Sequence, residues 1–383
     1  MENKNYILYC GSYTEMVAEN FGGHGEGIYC FEFNSSNGDL KLLHIQNQVN
    51  PSYLFVVNPE VESINNPLKS ALTFLAPSSI LFTVNEVLAS NNPTLHIYEI
   101  NKNDHRLTLN QSQPIEGGCP CHISYFKDAD GNNYVGVACY ETGNVILYDI
   151  NEDGNLSSCI ISHEGKSQHP SRQNAAHAHC VSFDKVSNKL LIADLGIDQI
   201  RVYTIKKNNE IIKVTENQII QIPAGSGPRH ICFDSNYHYG FIVNELTGSV
   251  TFIKHSNDRY DLKGTFSLLE PSALHHDIGA AAIRVSANGA FIYTTIRSDN
   301  TIRLFTFDSG KESLHLIDSY QTGGITPRDF IIDPTGHWLL VAHQNSDAIS
   351  IFEVNSYDGT LRLFKIIDNI KSPVCFSWLI TKK

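Results

Sequence analysis

Short runs of apolar residues alternate with polar turns along the whole chain. The segment 331–342, IIDPTGHWLLVA, contains two such runs joined by a turn, and a third run, AISIF, follows at 348–352. Nearly the same phrase occurs at 227–252 as GPRHICFDSNYHYGFIVNELTGSVTF. β-Branched and aromatic residues bounded by Gly, Asn and Asp are typical of strands joined by tight turns. The pattern therefore predicts short antiparallel strands in a repeating order.

Seven segments align on this phrase and mark the start of seven repeats. The aligned positions are Pro51, Pro120, Ala178, Pro228, Ala282, Pro327 and Pro373, with spacings from 45 residues (Ala282 to Pro327) to 69 (Pro51 to Pro120). Two further apolar runs follow each of the first six, and a variable polar segment leaves room for a fourth. Seven units of four strands predict an all-β, seven-bladed β-propeller with four-stranded antiparallel blades.

The two ends of the chain complement each other. The C-terminal run SPVCFSWLI supplies only a first strand, while YILYCGSYT and GEGIYCFEF near the N-terminus read as a second and a third. Joining them in one blade would close the ring and leave no open sheet edge. We therefore expect a single domain over residues 1–383, with an insertion at about 58–79 behind the longest spacing.

Equivalent positions of a propeller face one another around the central channel, so the repeat predicts which polar residues converge. We call a position that recurs in every repeat an address. The address directly after the aligned Pro or Ala holds Ser52, Cys121, His179, Arg229, Ile283, Arg328 and Val374. The next address holds Tyr53, His122, Cys180, His230, Arg284, Asp329 and Cys375. An address at the end of the second strands holds Glu86, Tyr140, Leu195, Glu245, Arg297 and Gln344.

Four of these residues come from three successive blades and are predicted to form one site: His179, Arg229, Glu245 and Arg297. An imidazole, two guanidiniums and a carboxylate at one channel mouth favour a binding or catalytic site over packing. Any one of them could instead pair between blades, and Arg284 with Asp329 is a candidate for such a structural ion pair.

The amino-acid composition limits the classes of molecule that the protein is expected to bind. Hydrophobic residues make up 42% of the chain and charged residues 18%, enough for a sizeable core. A net charge of −12 disfavours nucleic acid and anionic membranes as partners, although a few converging arginines can still bind a small anion. The apolar stretch 70–89 is interrupted by Pro77 and Glu86 and reads as strand, so we expect no membrane segment.

The cysteines and the N-terminus indicate the compartment. Nine cysteines are spread along the chain, and only Cys119 and Cys121 are close in sequence, so neither a disulfide framework nor zinc-ligand spacing is present. The start MENKNYILYCGSYTE has no apolar core of a signal peptide. We expect a cytoplasmic protein with reduced thiols, no metal and no cofactor, present as a monomer or a weak homo-oligomer.

The chain resembles the seven-bladed lactonase family, which includes propeller-type 6-phosphogluconolactonases and 3-carboxy-cis,cis-muconate cyclases. The resemblance is carried over nearly the whole length by YCGSYT at 9–14, NPSYL, VNE at 84–86 and 243–245, GGCPCH, HAHCVSFD, GPRHICFD and TPRDFIIDPTGHWLLVAHQ. It implies catalytic roles for His179, Arg229, Glu245 and Arg297. Ala178 stands where the family usually has proline, and Arg328 fits the lactonase branch better than the cyclase branch.

The resemblance implies a lactonase that hydrolyses a small anionic sugar lactone such as 6-phosphogluconolactone. Glu245 or His179 would activate water, and the arginines would hold the anion and the oxyanion. Predicted substrate-binding residues are Arg328, His177, His122, Glu86, His230 and Gln344. Two alternatives stay open: a lactonising cyclase that uses the same pocket, and a propeller that binds a protein without catalysis.

Overall fold

The computed structural model describes residues 4–58, 79–150, 156–208, 211–269 and 278–380. Seven four-stranded antiparallel sheets form the blades, and a small hairpin adds two further strands. The chain starts inside blade seven with β1 (Asn5–Ser12), the hairpin β2 (Met16–Ala18) and β3 (Phe21–Gly22), then β4 (Ile28–Asn34) and β5 (Asp39–Gln46). Among the described residues, no helix has the length and apolar character needed to cross a membrane.

Blades one to six follow in chain order, each running from the channel outwards. Blade one contains β6 (Tyr53–Val57), β7 (Ser79–Val84), a short 3-10 helix (Ala89–Asn91), β8 (Thr94–Ile100) and β9 (Leu107–Pro114). Blade two contains β10 (Pro120–Lys127), β11 (Asn133–Cys139), β12 (Asn144–Ile150) and β13 (Leu156–Ser162). Blade three contains β14 (Ala178–Asp184), β15 (Lys189–Asp194), β16 (Gln199–Asn208) and β17 (Ile211–Gln221).

The second half of the ring repeats the same order. Blade four contains β18 (Pro228–Phe233), β19 (Tyr239–Asn244), β20 (Ser249–Ser256) and β21 (Arg259–Ser267). Blade five contains β22 (Ala280–Val285), β23 (Phe291–Ile296), β24 (Thr301–Asp308) and β25 (Ser313–Gln321). Blade six contains β26 (Pro327–Ile332), β27 (Trp338–His343), β28 (Ala348–Val354) and β29 (Leu361–Asp368), and the chain ends with β30 (Pro373–Leu379).

The predicted closure is confirmed. Blade seven has the strand order β30-β1-β4-β5, with β30 antiparallel to β1 and Leu8 opposite Trp378. Hydrogen bonds between the two ends of the chain thus fasten the ring, and no blade is left with an unpaired inner strand. The predicted insertion at 58–79 lies mostly outside the described residues, and β7 resumes the blade at Ser79.

The core lies between the blades. Second strands such as β11, β19 and β27 are buried along their whole length, whereas the outermost strands are mostly exposed. Large side chains from adjacent blades interlock: Phe31 and Phe33 of blade seven pack with Trp338 and Leu340 of blade six. Burial on both faces explains why the second strands read as continuous apolar runs, while the outer strands carry polar residues.

A β-bulge recurs near the start of the first strand and sets the direction of the channel side chains. The pairing skips one residue after Pro120, Ala178, Pro228 and Pro327. A bulged residue has no cross-strand partner, and its side chain is turned out of the pleat. The skipped residues are Cys121, His179, Arg229 and Arg328, which makes the bulge the structural basis of the predicted address.

The predicted alignment of blade five was wrong by two residues. Ala280, and not Ala282, pairs with the end of the second strand, as Pro228 does with Asn244 in blade four. Arg284 consequently matches Cys232 and lies deeper in the channel than predicted. The error has a physical cause, because three consecutive alanines have the same size and polarity and do not fix the register.

Arg284 and Asp329 form the predicted inter-blade ion pair. Arg284 Nη2 lies 2.9 Å from Asp329 Oδ1, and Asp329 Oδ2 accepts a hydrogen bond of 3.3 Å from the Phe376 backbone NH. One carboxylate thus links blades five, six and seven near the closure. The Asp329 side chain is 3% exposed and that of Arg284 is 29% exposed, so water screens part of the attraction.

Removing this carboxylate should weaken the ring. Asp329→Ala leaves the Arg284 charge unpaired inside the channel and frees the Phe376 NH, so we expect a loss of about 3 kcal/mol in the free energy of unfolding. Urea unfolding followed by circular dichroism measures it. Asp318→Ala, on the exposed face of β25, is the matched control and should change stability by less than about 0.5 kcal/mol. Equal midpoints for the two variants would contradict the assignment.

Candidate active site

A cavity of about 460 Å³ opens where the first strands begin. Its charged lining comes from the bulges of the first strands, from the ends of the second strands and from one long loop. The lining includes Glu86, Glu141, Arg172, His179, Arg229, Glu245, Arg297 and Arg328. Val17 and Phe21 of the β2–β3 hairpin and Leu88 supply an apolar wall. Four arginines thus face three glutamates in a protein whose net charge is −12.

Glu245 is the centre of the charged cluster. Its Oε1 lies 2.6 Å from Arg172 Nη2 and 2.9 Å from Arg297 Nη2, and its Oε2 lies 3.1 Å from Arg229 Nε. The Arg229 contact misses hydrogen-bond geometry and is electrostatic. The carboxylate is 3% exposed, so its charge is compensated by protein groups and hardly by water.

The arginines keep Glu245 ionised. Burial alone would raise the pKa of its carboxyl, but the positive charges of Arg297, Arg172 and Arg229 outweigh burial and hold the pKa well below its usual range. A carboxylate in this state is a weak base. Glu245 is therefore better suited to fixing guanidiniums in place than to taking a proton from water.

Arg172 was missed by sequence reasoning because it lies outside the four-strand repeat, on the loop between β13 and β14. Its Nε donates to Tyr140 OH at 3.0 Å while Nη2 binds Glu245. The neighbouring Gln173 is fully buried and holds the loop: its Nε2 donates to Leu195 O at 2.8 Å, and its Oε1 accepts from the His169 NH at 3.0 Å. The only signal in the sequence was a single arginine in SRQN, which has no repeat equivalent.

Arg229 and His179 lie against the same carboxylate. Arg229 Nη1 donates to Ala281 O at 2.7 Å, which fixes the guanidinium against the first strand of blade five. His179 Nε2 is 3.8 Å from Glu245 Oε2, and its Nδ1 is 3.7 Å from Cys121 Sγ. Burial and then the Arg229 charge hold the pKa of His179 well below its usual value, so the imidazole is neutral near pH 7.

A second charged group occupies another side of the cavity. Arg328 Nη2 donates to Tyr13 OH at 2.6 Å, and that hydroxyl donates to Glu86 Oε2 at 2.7 Å. The Arg328 guanidinium also lies 5.0 Å from the Tyr13 ring centre and 5.2 Å from that of Phe21. Burial raises the pKa of Glu86, and Arg328 only partly offsets this rise.

The remaining predicted residues lie at different depths. His177 lines the cavity, where its ring stacks on Tyr140 at 4.5 Å. His230 and His122 lie deeper in the channel, with ring centres 5.3 Å apart, and are outside the lining. Gln344 is also outside it, since its amide donates to Gly22 O at 3.0 Å and supports the hairpin. Seven of the ten predicted residues thus line the cavity, and His122, His230 and Gln344 do not.

The arrangement is suited to binding an anion and polarising a carbonyl group. The excess of guanidiniums over carboxylates gives the cavity a positive potential, and the apolar wall strengthens it by excluding water. Within the described ranges, no group of three or more His, Cys, Asp or Glu side chains is arranged to hold a metal ion.

Comparisons with known proteins agree with this architecture. The family model "Lactonase, 7-bladed beta-propeller" matches residues 7–378. The chain is 28% identical to the 6-phosphogluconolactonase of Bacillus subtilis over 98% of both chains, and 28% identical to the 6-phosphogluconolactonase of Formosa agariphila over 93% of this chain and 94% of the relative. The solved periplasmic gluconolactonase of Pseudomonas aeruginosa superposes with a TM-score of 0.83 at 27% identity, covering 98% of this chain and 99% of that one.

The charged cluster should bind inorganic phosphate. We expect millimolar phosphate to raise the thermal unfolding midpoint of the wild-type protein, because the ligand binds only the folded state. Arg172→Ala should reduce this shift at least severalfold. Arg362→Ala, which removes an exposed arginine from blade six, is the control and should keep it. An equal shift in all three proteins at matched ionic strength would place phosphate binding elsewhere.

Buried neutral histidines should make stability depend on pH between 7 and 5.5. Burial lowers the pKa of His122 to about 3 and that of His343 to about 4, and it lowers the pKa values of His179 and His230 strongly. The unfolded chain, with histidine pKa values near about 6.5, then binds more protons than the folded chain. The contribution of these histidines to stability is therefore fully present above about pH 6.5 and is lost as the pH falls below that value.

The slope tests this assignment. Each such histidine contributes up to about 1.4 kcal/mol per pH unit to the loss in the free energy of unfolding, so His122→Asn should lower the slope by about that amount. His315→Asn, on the exposed face of β25, should leave it unchanged. Urea unfolding at pH 7, 6.2 and 5.5 gives the slopes, and identical slopes for the wild type and His122→Asn would disprove the claim.

Proposed function

We propose that this chain, which belongs to the seven-bladed β-propeller lactonase family, hydrolyses the ester bond of a phosphorylated sugar lactone of the 6-phosphogluconolactone type. The observation that supports this most directly is the grouping of three guanidiniums on one ionised carboxylate inside a cavity. The names of two relatives, each 28% identical over nearly its whole length, point to the same substrate.

The arginines bind the substrate anion and the developing oxyanion. Arg172 and Arg297 each use Nε and Nη2 on protein groups, and their Nη1 atoms have no hydrogen-bond partner among the described residues. Both arginines line the cavity, so these NH groups are available to donate to substrate oxygens. Charge-assisted hydrogen bonds from fixed donors are the interactions that stabilise the negative charge of a tetrahedral intermediate.

Glu245 acts in this proposal as the anchor of the arginines. Its carboxylate binds three guanidiniums and has a pKa held well below the usual range, so it keeps its negative charge throughout the reaction. Each guanidinium is then held in one orientation by an ion pair and a second hydrogen bond. Such preorganisation reduces the cost of aligning donors at the moment when charge develops.

The two alternatives are less well supported. A lactonising cyclase would need the same arginines, but the named relatives are lactonases. A protein-binding propeller would present a flat surface, whereas these charged side chains converge inside a cavity. Hydrolysis of a small anionic lactone accounts for the charge, the size and the apolar wall of the site together.

We further propose that the protein works in the cytoplasm as a monomer or a weak homo-oligomer. All nine cysteines are unpaired, which suits a reducing compartment. The solved relative from Pseudomonas aeruginosa is named as periplasmic. Cell fractionation with a specific antibody tests the first point, and sedimentation of the purified protein tests the second.

The rate of lactone hydrolysis, measured in the presence of EDTA because no metal is expected to take part, tests the proposed function. The wild-type protein should open 6-phosphoglucono-δ-lactone faster than its spontaneous hydrolysis. Arg297→Ala should raise KM for this substrate by about 10–100-fold, because one charge-assisted hydrogen bond is worth about 1.5–3 kcal/mol. The effect on KM for neutral glucono-δ-lactone should be much smaller.

Arg201→Ala is the matched control, since Arg201 pairs with Glu216 on the outer strands of blade three. It should leave both substrates unaffected. A wild-type rate on 6-phosphoglucono-δ-lactone that is no higher than the spontaneous rate would remove the proposed function.

A further inference from the structure

Two carboxylates line one cavity in opposite surroundings. Glu245 contacts three guanidiniums, whereas the Glu86 carboxylate accepts a hydrogen bond of 2.7 Å from the neutral phenol of Tyr13. Arg328 Nη2 donates to the same Tyr13 hydroxyl, and its charge lowers the pKa of Glu86 without outweighing burial. One carboxylate is thus saturated with positive charge, and the other is not.

Glu86 is held firmly in this place. Its backbone NH donates to Asn50 O at 2.9 Å, and Asn50 Nδ2 donates to Glu86 O at 3.1 Å. Asn50 Oδ1 in turn accepts from the backbone NH groups of Thr14 and Glu15, beside Tyr13. The turn that follows β7 and the segment that carries Tyr13 are therefore joined by one asparagine, and the carboxylate and the phenol are fixed relative to each other.

We propose that Glu86 is the general base of the reaction and takes a proton from the attacking water, while Glu245 stays ionised and holds the arginines. The assignment rests on the proposed lactonase function and adds a division of labour between the two carboxylates. It gives each one the role that its contacts permit, since a carboxylate bound by three guanidiniums has little tendency to accept a proton.

The step balances without any further reactant. The water oxygen forms a bond to the lactone carbonyl carbon, and a water proton passes to Glu86. The arginines stabilise the resulting oxyanion. The ring C–O bond then breaks, and the leaving alkoxide oxygen takes the proton from Glu86. The carboxylic acid formed loses its own proton to solvent, so lactone and water give a hydroxycarboxylate and one proton.

The electrostatics of the site agree with this division. Burial raises the pKa of Glu86 above its ordinary value. The Arg328 charge, the hydroxyls of Ser52 and Tyr13 and the Arg229 charge oppose that rise without cancelling it. Cys119 and Cys121 face the same carboxylate, and burial raises the pKa of both thiols, so neither adds a charge near neutral pH. Two acids in one site whose pKa values are driven apart are characteristic of paired catalytic roles.

A covalent route through Cys121 fits the geometry less well. Its sulfur lies 3.7 Å from Ala138 O, 3.8 Å from Ala178 O and 3.7 Å from His179 O. His179 Nδ1 also lies at 3.7 Å, but burial and the Arg229 charge hold the pKa of this imidazole well below its usual value, so it accepts the thiol proton poorly. Carbonyl oxygens favour a thiol that donates and disfavour a thiolate. Since the thiolate is the nucleophile of cysteine chemistry, direct attack by water is the better match.

Substitution of the two carboxylates separates their roles. Glu86→Gln should lower kcat on 6-phosphoglucono-δ-lactone by about 10²–10⁴-fold with little change in KM, which is the usual contribution of general acid–base catalysis. Glu245→Gln should mainly raise KM, because the arginines lose their anchor. Glu353→Gln, on blade six, is the control carboxylate and should behave as the wild type. Circular dichroism melts establish that each variant is folded.

A pH profile and a rescue experiment distinguish a base from a structural residue. Wild-type kcat should fall in acid as Glu86 becomes protonated, and Tyr13→Phe should move this fall to higher pH, because the phenol stabilises the carboxylate form. Glu86→Ala should recover at least tenfold in kcat with added formate, whereas Glu353→Gln should not respond.

The outcomes are distinct. An active wild type with a Glu86→Gln variant that retains kcat within threefold overturns the role of Glu86 and leaves the lactonase function standing. An active Glu86→Ala that formate does not stimulate also counts against it. A wild type that opens no lactone removes the function itself, and the role of Glu86 with it.

Discussion

The site depends on a single buried negative charge. Glu245 draws together three guanidiniums that would otherwise repel one another inside the cavity. Arg229 belongs to the same blade, Arg297 to the next, and Arg172 to the loop that precedes blade three. Removing one partner from a buried ionic group costs about 3–5 kcal/mol, because the remaining charges are left uncompensated. The cluster therefore acts as a structural unit and as a preformed anion site at once.

The propeller supplies the geometry through a repeated irregularity. In blades two, three, four and six, a bulge near the start of the first strand turns one side chain out of the pleat. Because the bulged residue has no cross-strand partner, its side chain can differ between blades without loss of pairing in the sheet. Blade four places Arg229 there, blade six Arg328 and blade five Ala281, so the charged residues lie only where the cavity uses them.

The sequence was informative where the repeat constrains it. Alternating apolar runs and turn residues predicted seven blades and the closure, and four residues at two repeated addresses predicted the cluster around Glu245. The alanine run at 280–282 carried no information on register, and blade five was misaligned for that reason. Arg172 and Tyr13 could not be placed, because they lie on a loop and beside a hairpin where no periodic pattern applies. The depth of His122 and His230 in the channel likewise depends on packing that the alignment does not contain.

A crystal structure of the protein with bound 6-phosphogluconate, the open-chain product, would show whether the cluster around Glu245 is a preformed anion site. We expect an anionic group of the ligand within hydrogen-bond distance of Arg172 and Arg297. Glu245 should still bridge the arginines, and Glu86 should face the carboxylate group that hydrolysis of the lactone has produced. A ligand bound outside this cavity, or one whose anionic groups displace Glu245 from its three guanidiniums, would contradict it.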